Sequence, residues 1–157
     1  MSLLYKLSIP LFFFDQLTKF LILKNFALGD QKTIIPDFFN LVRVHNTGIA
    51  FGKFNDSDGS NIIFTIISLL AFSGIIFFWV RGYFPGKLNQ FAVSLITAGV
   101  AGNVTDRILH GYVVDFLDFY VGNSHWPSFN IADSCICIAA SLIFISAFQK
   151  EEQTENQ

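Results

Sequence analysis

Asp115 and Asp133 are two carboxylates set on either side of the start of the last apolar run in a chain that is otherwise mostly hydrocarbon. Asp115 lies in Gly111-Tyr112-Val113-Val114-Asp115-Phe116, and Asp133 in Phe129-Asn130-Ile131-Ala132-Asp133. Ionisable groups at bilayer depth are costly and mark a function by default. Two carboxylates that can meet form a minimal hydrolytic apparatus, one acting as acid and the other as base. The pair points to a membrane-embedded aspartyl protease.

Other polar residues gather near the same helix ends. Asp15 and Lys19 are four apart in the first apolar segment, so on a helix they share a face and can pair. Asn103 and Asp106, and likewise Asn130 and Asp133, are three apart and share faces in the same way. Each group also has a plainer reading. Asn130 can cap a helix, with Asp133 favoured by the helix dipole. Asp106 and Arg107 can form an interfacial ion pair, and Asp118 reads as a solvated loop charge.

Other chemistries fit poorly. His45, His110 and His125 are scattered, and neither an H-E-x-x-H zinc motif nor a G-x-S-x-G elbow occurs. Cys135 and Cys137 are two apart, which on a helix points them away from each other. We read both as packing residues. The chemistry asks for no metal and no cofactor.

The elements that must position these groups follow from composition. Only 14% of the 157 residues are charged while 52% are hydrophobic, well away from the roughly 25% charge of soluble domains. A net charge of −2 with no basic cluster gives no reason to expect nucleic-acid binding. A bilayer crossing takes about 20 residues, and four segments qualify: 3–23, 61–80, 88–104 and 131–148. The expected fold is an all-α polytopic membrane protein, a single domain over 1–148 with a polar tail at 149–157. The first segment has Asp15-Gln16 where a signal-peptide cleavage site would need small residues, so it is read as retained.

Residues 24–60 mix turn signals, such as Asn55-Asp56-Ser57-Asp58-Gly59, with β-prone runs and predict a small sheet on the membrane surface. Residues 105–130 predict an aromatic-rich loop or short helix along the interface. Residues 81–87 form a short basic loop, which favours cytoplasmic termini and places both long connections on the outer face. In the third segment, Ala98 and Gly102 read as a small-residue packing pair.

Five motifs in order resemble the bacterial lipoprotein signal peptidase (signal peptidase II) family. They are Asp15-Gln16-Leu17-Thr18-Lys19, Asn46-Thr47-Gly48-Ile49-Ala50-Phe51-Gly52, Gly102-Asn103-Val104-Thr105-Asp106-Arg107, Val113-Val114-Asp115-Phe116 and Phe129-Asn130-Ile131-Ala132-Asp133-Ser134. The resemblance covers residues 3–148. It implies an aspartic endopeptidase of the bacterial plasma membrane that cuts prolipoproteins before a diacylglyceryl-modified cysteine, working as a monomer among membrane lipids. It also implies Asp115 and Asp133 as the catalytic dyad. Asn103, Asp106, Arg107 and Asn130 would orient the dyad and substrate, while Asp15, Lys19, Asn46 and Gly48 would shape the pocket and a periplasmic flap. Asp106 is the other candidate partner for Asp133, but its neighbour Arg107 suits a structural role. The alternative from another class is a small proton- or cation-coupled transporter or channel subunit, which would spread its carboxylates across the membrane depth.

Overall fold

The computed structural model describes residues 2–48 and 60–155. Within them four helices and a small antiparallel sheet alternate: α1 (Ser2–Asn25), β1 (Gln31–Ile35), β2 (Phe39–Asn46), α2 (Ser60–Val80), α3 (Lys87–His110), β3 (Val113–Val121), β4 (Ser124–His125) and α4 (Ile131–Glu155). The later part of the Asn46–Gly52 motif, from Ile49 on, lies outside the described residues, as does the turn signal at Asn55–Gly59.

Helix α3 is the hub, packing on α1, α4 and α2. Its close approach to α4 requires glycine. A Cβ on Gly99 would collide with the Ala132 main-chain oxygen, and one on Gly102 would collide with the Asp15 carboxylate. Gly99 thus sets the approach of α3 to α4 and Gly102 that of α3 to α1, and Ala98, the expected partner of Gly102, is buried as well. Buried Ala92, Leu95, Cys135 and Ala139 fill the seam, with Leu7 and Leu11 of α1 packed against them. Cys135 is thus a packing residue as expected, but Cys137 is exposed.

Among the described residues α2 packs on α3 alone. Residues Asn61–Val80 are long and apolar enough to cross a membrane, and none of that stretch is buried inside the protein. Its exposed Ile62, Ile66, Leu70 and Phe77 are the face an apolar solvent would cover.

The sheet runs in the order β1-β2-β3-β4 and rests across the end of α1, the end of α3 and the start of α4. Gly111 makes the turn possible: at φ 80° it closes α3 in the left-handed conformation that glycine adopts without a Cβ penalty, and the chain enters β3 at once. Ile22, Val114 and Phe116 then bury together with Leu41 and Ile131 and fasten sheet to helices.

Two expectations are corrected. The segment 105–130 is neither a polar loop nor a short helix: α3 continues to His110, and Val113–Val121 is the longest strand of the sheet. Its β-branched and aromatic residues are strand formers, and pairing with β2 decides the matter. Helix α4 also extends to Glu155, taking in most of the segment read as a polar tail.

Candidate active site

The end of α3, the start of α4 and the middle of β3 converge beneath the sheet. Asp115 sits on β3 opposite Val44 of β2, and its side chain is 2% exposed. The strand β2 ends at Asn46, whose Nδ2 donates to Asp115 Oδ2 at 3.0 Å. Asn46 is itself oriented by the Gly48 N–H, which donates to Asn46 Oδ1 at 3.1 Å.

Asn130 is the junction. Its Oδ1 accepts the Asp133 N–H at 2.9 Å, a helix cap as the local pattern suggests. The same residue's main-chain N–H donates to Asp133 Oδ2 at 3.2 Å, and its Nδ2 donates to Asp115 Oδ1 at 2.8 Å. One fully buried asparagine therefore holds both carboxylates. The capping role and the bridging role coexist.

Behind this pair lies a second layer. Lys19 Nζ contacts Asp15 Oδ2 at 2.9 Å, Asp106 Oδ2 at 3.0 Å and Asn103 Oδ1 at 3.0 Å. Asn103 Nδ2 donates to Asp133 Oδ1 at 2.7 Å. Asp15 Oδ1 accepts the Ala132 N–H at 2.9 Å, tying α1 to the first turn of α4. Asp106 Oδ2 accepts the Val114 N–H at 3.0 Å, tying α3 to β3. The expected Asp15–Lys19 pair forms. Asp106, however, pairs with Lys19 and not with Arg107, and Asp15 and Lys19 are buried in the helix contact at 1% and 2% exposure.

Gln16, a member of the first motif to which the resemblance gives no role, also belongs to this layer. Its Nε2 reaches Asp15 Oδ2 at 3.2 Å, the Gly102 oxygen at 3.3 Å and Asp106 Oδ1 at 3.0 Å. Its adjacency to Asp15 was the only available signal. Asp118 is another correction. It is buried, accepts from Asn40 Nδ2 at 2.8 Å and meets His125 Nδ1 at 2.8 Å, so it pins the sheet rather than facing solvent.

The electrostatics separate Asp115 from an ordinary surface carboxylate. Burial, reinforced by the Asp133 carboxylate nearby, pushes Asp115 up to about 7, against the pull of the Asn46 and Asn130 donors. His45, next to Asn46, is stacked on Tyr112 with ring centroids 3.6 Å apart. Burial lowers its pKa, and Arg43 and His110 lower it further. Arg43 Nε donates to His45 Nε2 at 3.2 Å, consistent with a neutral ring. The Arg107 guanidinium lies near Asp133, Asp115 and Asp106, and its buried Nε has no hydrogen-bond partner among the described residues.

Among the described residues no three His, Cys, Asp or Glu side chains are grouped to hold a metal ion. A separate, open apolar cavity of about 730 Å³ lies between α1, α2 and α3, lined by residues such as Phe12, Phe72, Trp79 and Ala101. Neither Asp115 nor Asp133 lines it. Two carboxylates of unequal environment, held by shared amides at the mouth of a helix bundle, can supply an acid and a base to one reacting carbonyl.

Comparison with known proteins agrees with this chemistry. The family model described as signal peptidase (SPase) II matches residues 7–149. The chain is 40% identical over 155 residues to a lipoprotein signal peptidase of Vibrio cholerae serotype O1, covering 96% of this chain and 90% of that protein. It is 44% identical over 146 residues to one of Shewanella baltica, covering 92% and 84%. In structure it is similar to a bacterial membrane enzyme solved by the in meso method at 2.3 Å resolution. The TM-score is 0.87 at 32% identity, covering 98% of this chain and 92% of that one. A second such structure, at 1.9 Å, gives a TM-score of 0.84, also at 32% identity, covering 94% and 93%. With the match running nearly end to end, the chain belongs to the signal peptidase II family.

Proposed function

We propose that this chain is an intramembrane aspartic endopeptidase that removes signal peptides from prolipoproteins, cleaving before the lipid-modified cysteine. The observation that carries the proposal is Asn130, which donates to Asp115 from its side chain and to Asp133 from its main chain. That arrangement presents two carboxylates to one space, as a water-activating dyad requires.

In the reaction the ionised aspartate takes a proton from water while the water oxygen bonds to the scissile carbonyl carbon. The protonated aspartate gives its proton to the carbonyl oxygen. Collapse of the tetrahedral intermediate breaks the C–N bond, and the departing amine leaves with a proton returned through the dyad. Asn130, Asn103 and Asn46 supply donors that hold the carboxylates in place. Arg107 adds positive charge beside them. Asp106 orients the Val114 main chain, and Gly48 orients Asn46.

All four helices span the plasma membrane in this reading, with both termini cytoplasmic and the sheet on the outer face. The short basic connection between α2 and α3 supports the orientation. The signal-peptide helix and the lipid chains would then stay in hydrocarbon while the cleavage point meets the dyad beneath the sheet. The enzyme acts as a monomer. The clustering of carboxylates at one end of the bundle is unlike a transport path, which needs sites along the membrane depth.

The substrate class is tested with purified protein in detergent and one prolipoprotein in two forms, with and without the diacylglyceryl group on its cysteine. Cleavage of the modified form alone is expected. Equal cleavage of both forms contradicts the assigned substrate.

A further inference from the structure

Lys19 is 2% exposed, and its ammonium has three donors and no acceptor. The three reach Asp15, Asp106 and Asn103. Two carboxylates already more than offset its charge, and Gln16 donates to both of them as well. The third bond goes to a neutral amide, and an amide has two different ends. Asn103 Oδ1 faces Lys19 Nζ at 3.0 Å and Asn130 Nδ2 at 3.3 Å, so its Nδ2 faces Asp133 Oδ1 at 2.7 Å. Half a turn of the amide would set its NH2 against two donors and its oxygen against a carboxylate. Every contact would reverse sign.

We propose that Lys19 is a positioning residue for the reaction, acting through Asn103. It locks the amide as a donor to Asp133 and thereby keeps Asp133 the ionised, water-activating member, leaving the shared proton on Asp115. The proposal rests on the peptidase reading of the aspartate pair.

The surroundings of the two aspartates support the same division. Asp133 lies in the first turn of α4, where the helix dipole favours negative charge, and both its oxygens accept N–H donors. Asp115 lies on a strand and not within the first turn of a helix. Its Asn46 donor is oriented by one loop N–H, that of Gly48, and not by a buried ammonium. The charged groups facing Asp133 are Asp15 and Lys19 from α1, Arg107 from α3 and Asp115 from β3. Of these, Lys19 reaches the Asp133 carboxylate through the side-chain amide of Asn103.

The test measures kcat and KM for four variants, with thermal unfolding as a check on folding. Asn103→Asp keeps an oxygen for Lys19 but sets an oxygen against Asp133. Asn103→Leu removes both contacts. The double variant K19M/D15N removes the lysine together with one carboxylate, so local charge is unchanged, and an amide at position 15 can still accept the Ala132 N–H. Asp133→Asn tests the premise.

For the first three, kcat is expected to fall about a hundredfold or more with KM within about twofold, because the loss is confined to proton transfer. Wild-type kcat in Asn103→Asp would mean that Asn103 serves Lys19 and not Asp133, which overturns the proposal. Wild-type kcat in the double variant overturns it as well. If the double variant does not fold, Asn103→Asp decides. Activity in Asp133→Asn removes the peptidase reading of the pair and the proposal with it. An inactive Asp133→Asn beside an active Asn103→Asp removes only the role of Lys19.

Discussion

Asn130 Nδ2 donates to Asp115 Oδ1 at 2.8 Å across 15 residues of chain, joining the cap of α4 to strand β3. Because Asn130 also caps α4, shifting the cap shifts the carboxylate pair. Asn130→Ala removes a buried amide that serves both aspartates. We expect a fall in kcat of about a hundredfold to a thousandfold, with a loss of about 1–2 kcal/mol in stability from the missing cap. Steady-state kinetics beside thermal unfolding in detergent separate the two. A stability loss without a kinetic one would leave Asn130 as a cap and nothing more.

The raised pKa of Asp115 gives a pH dependence with a definite sign. A carboxyl that must donate a proton is active below its pKa, so cleavage should decline as pH rises through about 7. The same shift bears on stability. Folding raises Asp115 from 3.8, so the fold favours its protonated form. Stability linked to this group is fully present below pH 3.8 and is lost as pH rises through about 7. Asp115→Asn removes the titration. Its unfolding temperature should therefore gain on wild type at pH 8 and gain much less at pH 5. An equal difference at both values would contradict the buried, shifted carboxyl.

Gly99 has no room for a side chain, because a Cβ there meets a main-chain oxygen of α4 that cannot swing away. Gly99→Ala should cost about 1–3 kcal/mol through forced separation of α3 and α4. Since Asn103 and Asp133 bond across that same seam at 2.7 Å, activity should fall as well. Unfolding temperature and kcat measured on one preparation check both effects. A variant with wild-type stability would mean the helices approach less closely than described.

Much of this site was legible in the sequence because its signals are local. Asp15 and Lys19 are four apart and pair as helix spacing predicts, and Asn130 with Asp133 makes a helix start that the residues announce. The aspartate pair stood out because charge beside apolar runs is rare. What stayed hidden depends on partners far along the chain. Asp118 looks like a loop charge until Asn40, 78 positions away, buries against it. Asp106 looks like the partner of Arg107 until α1 brings Lys19 to it. The strand Val113–Val121 was missed because its aromatic residues suit a membrane interface as well as a sheet, and only pairing with β2 chooses between them.

The central claim is that Asp115 and Asp133, and not Asp106, carry the chemistry. The most direct test is a gel-shift cleavage assay on a diacylglyceryl-modified prolipoprotein, run with wild type, Asp115→Asn, Asp133→Asn and Asp106→Asn, each with and without chelator. Chelator-resistant cleavage that is abolished in the first two variants and only weakened in Asp106→Asn is the expected result. Cleavage by Asp115→Asn together with an inactive, folded Asp106→Asn would contradict it and move the dyad to Asp106 and Asp133.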